Sequence, residues 1–176
     1  MEKIFYAERS AYPSSEMAIQ KILREVFGVE NAVISRTKTG KPYLADHLGI
    51  FFSVAHTDEL LLIAFSDSEI GIDAERLDRA VDYTTIVKKF PLMEHEEIRC
   101  CQDFLKSWVV KESAVKYLDS TLTKELKTLC FSKGNLLRNG AELPITLTVK
   151  SFRGHIVAIC GKRDFQSAEW INIEVL

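Results

Sequence analysis

Two stretches carry residues whose types and spacing could do chemistry. In Ile70-Gly71-Ile72-Asp73-Ala74-Glu75, strand alternation sends Ile70, Ile72 and Ala74 to one face and Asp73 and Glu75 to the other. Carboxylates two residues apart on a strand lie about 6.5–7 Å apart at the backbone, so their oxygens can meet on one ion. Hard divalent cations take such oxygens, and Mg²⁺ in particular combines a few carboxylates with water and substrate phosphate. The polar outer face of a half-buried strand would show the same pattern. The second stretch runs from Trp108 to Lys116. Leu105, Trp108, Glu112 and Val115 recur three or four residues apart, so Glu112 shares an otherwise apolar helix face and points into the protein. A carboxylate withdrawn from water costs several kcal/mol unless a cation or a set of donors meets it. Lys116 at i+4 supplies one cation, and in isolation that pair also reads as a surface bridge worth about 0.3–0.5 kcal/mol.

The surrounding segments must position these groups. Residues 4–7 predict a short strand, and Pro13-Ser14-Ser15 opens a helix whose apolar spacing, Ala18, Ile19, Ile22, Leu23, Val26 and Phe27, ends at Gly28. Ser35 to Pro42 breaks regular structure and holds Arg36, Lys38 and Lys41, which fits an anion cradle or a solvated turn. Residues 50–55 predict a strand that delivers His56 and Thr57 at its tip, with residues 60–65 as its antiparallel neighbour across Asp58-Glu59. A histidine there is either functional or satisfied by nearby backbone. Beyond Asp82 the pattern turns helical, and a helix starting at Glu94-His95-Glu96-Glu97 is expected to continue through Trp108 to Tyr117. The rest predicts a meander, with Lys133-Gly134-Asn135 and Asn139-Gly140 as turn signals and strands over residues 145–149, 155–160 and 170–175.

At 176 residues, 47% hydrophobic and 27% charged, the chain suits one compact domain or two small halves sharing a core. A net charge of −2 gives no global pull toward nucleic acid or a membrane surface, so any anionic ligand must be met locally. With no apolar run of spanning length and no signal-peptide core, a cytoplasmic protein is expected. Cys100, Cys101, Cys130 and Cys160 lack zinc-site spacing and read as reduced, mostly buried thiols.

Taken in order, Gly40-Lys41-Pro42, Phe52-Ser53-Val54-Ala55-His56, Gly71-Ile72-Asp73-Ala74-Glu75 and Trp108-x-x-Lys111-Glu112-Ser113-x-x-Lys116 resemble the motifs of the 4′-phosphopantetheinyl transferase superfamily. They cover the chain from about Gly40 to Lys116, with Ala55 where the family commonly has serine and no glycines after Lys116. The resemblance implies an α+β fold of two similar halves forming a pseudo-dimer, here residues 1–75 and 76–176, with the active site at their interface and a monomer as the working unit. It further implies transfer of the phosphopantetheine arm of coenzyme A to a serine of an acyl or peptidyl carrier protein, releasing 3′,5′-ADP. Asp73, Glu75 and Glu112 would ligate Mg²⁺, while His56, Lys41 and Lys116 would contact coenzyme A phosphates, with Arg36 or Lys38 as helpers. Glu112, Glu94 or a metal-bound water would take the proton of the attacking hydroxyl. Carrier proteins tend to be acidic, so Arg24, Lys88, Lys89, Arg99 and Lys106 are candidates for docking. The alternative is a non-catalytic homologue that binds coenzyme A or a carrier protein. A third possibility is an Mg²⁺-dependent nucleotide hydrolase using the same carboxylates.

Overall fold

The computed structural model describes residues 2–46 and 49–176 and shows a mixed α+β architecture with several sheets. The first sheet has the order β12-β1-β5-β4, built from β1 (Lys3–Glu8), β4 (Phe51–His56), β5 (Leu60–Ser66) and β12 (Glu169–Asn172). The second has the order β10-β11-β6, built from β6 (Ile70–Arg76), β10 (Thr146–Phe152) and β11 (His155–Gly161). Helix α1 (Ser15–Phe27) starts where Ser14 accepts a hydrogen bond from Met17 N and ends at Gly28, whose φ of 65° closes the last turn in the left-handed region.

Alternation along the strands builds the layers. Phe5, Ala7, Leu61, Ile63 and Phe65 pack with Ile19, Ile22 and Leu23 of α1, whereas Ile4, Leu62 and Ala64 pack with Ile70, Ile72, Val157 and Ile159 of the second sheet. The other face of that sheet, with Ile156, Ala158 and Cys160, packs under α4 (Cys101–Tyr117). The order is therefore α1, first sheet, second sheet, α4. β5 and β11 are covered on both faces, which is why they read as unbroken apolar runs.

Helix α4 is buried nearly all round, from Phe104 to Val115. It does not begin at Glu94 as expected. A short α3 (Leu92–His95) ends first, because Glu97 turns away to accept from Lys133 N at 3.1 Å and from the Ser132 hydroxyl; Asp103 then accepts from Arg99 N at 3.0 Å as α4 starts. Shorter elements fill the connections: β2 (Ile34–Arg36) pairs with β3 (Pro42–Leu44), and α2 (Thr84–Val87) and α5 (Leu122–Glu125) flank α3 and α4.

The meander holds for β7 (Leu129–Ser132), β8 (Asn135–Arg138) and β9 (Ala141–Glu142), whose two-residue turns Lys133-Gly134 and Asn139-Gly140 have positive φ throughout. The last strand departs from it. β12 crosses to the first sheet and runs parallel to β1, while Ile171, Ile173 and Leu176 fill the α1 core, so the chain's last strand closes the sheet its first strand began. Cys130 and Cys160 are buried as expected; Cys100 is exposed.

Candidate active site at the junction of the two sheets

β4 and β6 are edge strands of different sheets, and they meet. No ladder joins them. Instead Ser53 Oγ accepts from Ile72 N at 3.1 Å, and Lys116 Nζ donates to Val54 O at 3.0 Å, Ile72 O at 2.9 Å and Asp73 Oδ1 at 2.8 Å. Lys116 reaches this seam because α4 crosses β6 closely. The passage is possible only at Gly71, where a Cβ would lie 1.9 Å from Ser113 O and 2.5 Å from Tyr117 N. Alternation then presents Asp73 and Glu75 to the same covered face, one turn of α4 away from Glu112.

The three carboxylates lie within one another's fields. Burial foremost, and then the negative charges of Asp73 and Glu75, push the Glu112 carboxyl up to about 7 against the opposing Lys116 ammonium. Asp73 is raised above the usual carboxylate range by burial, again against Lys116. Glu75 pairs with Arg79. Glu112 has no hydrogen bond or ion pair among the described residues, so only the field of Lys116 offsets its burial and the two like charges. In chemistry this donor set fits a hard divalent cation, which would relieve that repulsion. Among the described residues no three such side chains stand close enough together to hold a metal ion, and Lys116 and Arg79 are paired with two of the three carboxylates.

Beside this cluster a groove of about 530 Å³ is lined by His56, Thr57, Glu75, Arg76 and Arg79. His56 ends β4 with its ring exposed, as the strand pattern predicts. Its neighbours are of both signs, with Asp58 and Asp78 also lining the groove: Arg76 binds Asp78 with two nitrogens, at 2.8 and 2.7 Å, and reaches Glu59.

No family model matches the chain. The 4′-phosphopantetheinyl transferase Gsp of Aneurinibacillus migulanus is 24% identical to it over 167 residues, covering 86% of this chain and 69% of that protein. That similarity agrees with the motif resemblance read from the sequence. The other residues singled out from sequence fall into three places.

Lys41 lines a separate cavity of about 300 Å³, with Thr37, Tyr43, Phe51, Glu69 and Asp119 among its walls, and bonds Glu69 at 2.7 Å. Arg36 donates to Gly40 O at 3.0 Å and Lys38 is exposed; their loop is tied to the end of α4 by Thr37 and Thr39, which both donate to Asp119.

Glu94 is not brought to the cluster. It is fully buried against Lys111, whose Nζ lies 2.7 Å away and also meets Leu129 O and the Phe90 ring at 4.5 Å, while Ser107 donates to its other oxygen. Burial raises Glu94 and lowers Lys111, so each is held in its charged form only by the other. Lys111→Met is accordingly expected to cost about 3–5 kcal/mol of unfolding free energy by denaturant titration, with Glu94→Gln/Lys111→Met recovering much of it. Additive losses would contradict the pairing.

Arg76 and Arg79 were not singled out from the sequence, although both follow the acidic strand directly. Burial pushes the Cys160 thiol up to about 12, which leaves it inert as a nucleophile.

Proposed function

We propose that the chain transfers the 4′-phosphopantetheine arm of coenzyme A to a serine of an apo acyl or peptidyl carrier protein and releases 3′,5′-ADP. One observation supports this reading: two strand carboxylates and a helix carboxylate without a hydrogen bond lie within one another's fields at a seam between sheets, beside a groove that His56, Arg76 and Arg79 help to line. Asp73, Glu75 and Glu112 would hold Mg²⁺, which when bound neutralises charge developing on the pyrophosphate.

The chain's own residues do the rest. Lys116 spends its three donors fixing Asp73 and the edges of β4 and β6, so it orients the cluster and leaves phosphate contact to groups with free donors. His56 and the groove arginines meet phosphates on one side, and Lys41, with Arg36 and Lys38 in the same loop, meets the remainder of coenzyme A on the other. Phosphoryl-type transfer asks for such positioning and charge more than for covalent chemistry, so no nucleophile is required of this chain. Glu112 is the carboxylate best placed to take the serine proton.

The carrier would dock on α3, where Leu92 and Met93 are 81% and 64% exposed beside the exposed Lys88 and Lys89. An apolar pair flanked by cations suits an acidic helix with an apolar ridge. The two halves of the implied pseudo-dimer, residues 1–75 and 76–176, would act as a monomer in the cytoplasm, with β6 pairing onto β11 and β12 onto β1 across that division. Among the described residues, no helix is long and apolar enough to cross a membrane.

Chromatography of reactions with and without apo carrier tests the reading. 3′,5′-ADP is expected only when coenzyme A, Mg²⁺ and carrier are all present. Its appearance without carrier would make the protein a hydrolase. A non-catalytic binder of coenzyme A is the second reading, favoured by the cations already seated on Asp73 and Glu75.

The raised Glu112 gives a pH signature. Its folded value lies above the ordinary glutamate range, so its stabilising contribution is complete at low pH and is lost as pH rises toward about 7. Mg²⁺ binding must expel that proton, so calorimetric affinity should fall about tenfold per pH unit below 7. Glu112→Gln should flatten both dependences, and an unchanged slope in that variant would remove Glu112 from the site.

A further inference from the structure

His155 opens β11 opposite Arg76 of β6 and is 2% exposed. Both ring nitrogens have partners: Nδ1 lies 2.8 Å from Arg153 O, and Nε2 lies 3.0 Å from Thr57 Oγ1. A carbonyl oxygen only accepts, so Nδ1 carries the ring hydrogen and Nε2 accepts from the Thr57 hydroxyl. That commits the hydroxyl hydrogen and turns the oxygen's lone pairs to the backbone N–H groups of Glu59, at 3.3 Å, and Leu60, at 3.1 Å. Thr57 N in turn donates to Leu60 O at 2.8 Å. The tight connection between β4 and β5 is thus closed on Thr57, and Thr57 is oriented by a buried ring from the other sheet.

The residue before Thr57 is His56. Its side chain is exposed and has no hydrogen bond of its own among the described residues, so the course of the backbone sets the space its ring can reach. Packing would be served there by an apolar side chain, whereas a buried imidazole is costly unless both nitrogens are satisfied.

We infer that His155 is a positioning residue for His56: through Thr57 it fixes the β4–β5 turn across the sheet junction and so sets where the His56 ring stands in the groove that Glu75 and Arg79 also line. This rests on the proposed role of His56 in holding a coenzyme A phosphate. Its consequence is specific, because His155 touches neither ligand nor cluster and should act on coenzyme A binding only while His56 is present.

Calorimetric titration of the metal-loaded protein with coenzyme A tests this. His155→Phe is expected to weaken binding about tenfold with kcat at saturating coenzyme A within about twofold, as for lost ground-state positioning. His155→Gln, whose amide oxygen can still accept from Thr57, should stay within about twofold of the native affinity. In a His56→Ala background, His155→Phe should add less than about twofold, because the two act through one contact. A full tenfold effect persisting in that background, or native affinity in His155→Phe, would overturn the inference and leave the transfer reading intact. Native coenzyme A affinity in His56→Ala itself would overturn both the inference and the role of His56. Should His155→Phe not unfold cooperatively, Thr57→Val against Thr57→Ser reads the same hydrogen bond with the same expected outcomes.

Discussion

Asp73→Ala is expected to lower the transfer rate by at least about a hundredfold, the scale seen when one preorganised electrostatic group is removed from a charged transition state. Asp73 does two things in the structure: it faces the Glu75 and Glu112 carboxylates, and it is the ionic acceptor for Lys116 at 2.8 Å. The isosteric Asp73→Asn separates them. Its amide oxygen can still accept from Lys116, so the seam between β4 and β6 should hold and thermal stability should change little. The negative charge is gone, so metal binding and transfer should fall as far as in the alanine variant. Equal activity in Asp73→Asn and the native protein would mean that Asp73 serves only to hold Lys116. Lys116→Ala should behave differently again, losing stability as well as activity, because Val54 O and Ile72 O lose their donor at an edge with no ladder to replace it.

Gly71→Ala should be the most damaging single methyl group in the chain. A Cβ there meets the Ser113 carbonyl oxygen and the Tyr117 nitrogen from below real contact distance, and both are backbone atoms of a helix buried on nearly every side. Neither can swing aside. The helix must lift from the strand, at a cost expected to reach about 3 kcal/mol or more, at or beyond the top of the usual overpacking range. The lift would also carry Glu112 and Lys116 away from Asp73, so activity should fall in whatever fraction remains folded. Gly161 provides the control. It pairs with Ile70, the residue just before Gly71 in β6, yet its added Cβ would come no nearer than 3.6 Å to Glu69 O. Denaturant titration of Gly161→Ala should show a change within about 1 kcal/mol. Comparable losses in the two variants would contradict a contact specific to Gly71.

Period-two alternation made Asp73 and Glu75 legible as a pair, because the apolar partners Ile70, Ile72 and Ala74 sit together in the core between the sheets. Helical spacing likewise turned Glu112 inward. What covers the acidic face was not legible: nothing local to β6 says that α4 lies on it, and Gly71 declares the crossing only once the helix is in place. Glu94 shows the same limit. Its acidity is visible in the chain, but Lys111, about 100° round α4 from Glu112, claims it from a different side of the helix. The helix break over residues 96–100 follows from Glu97 reaching Ser132 and Lys133, a contact some 35 residues distant that no local pattern announces. β12 carries an ordinary strand pattern, and pattern alone does not choose between pairing with a neighbour in sequence and returning to β1. Lys116 was expected to meet phosphate. The carbonyls that take up its donors belong to two edge strands whose meeting is a property of the fold.

The most direct measurement is the intact mass of an apo carrier protein after incubation with this protein, coenzyme A and Mg²⁺, beside the same reaction in EDTA. The expected result is a gain of one phosphopantetheine in the first reaction and none in the second. No gain on any acyl or peptidyl carrier, from protein that is folded and binds coenzyme A, would contradict the proposed transfer and leave a binding protein in its place.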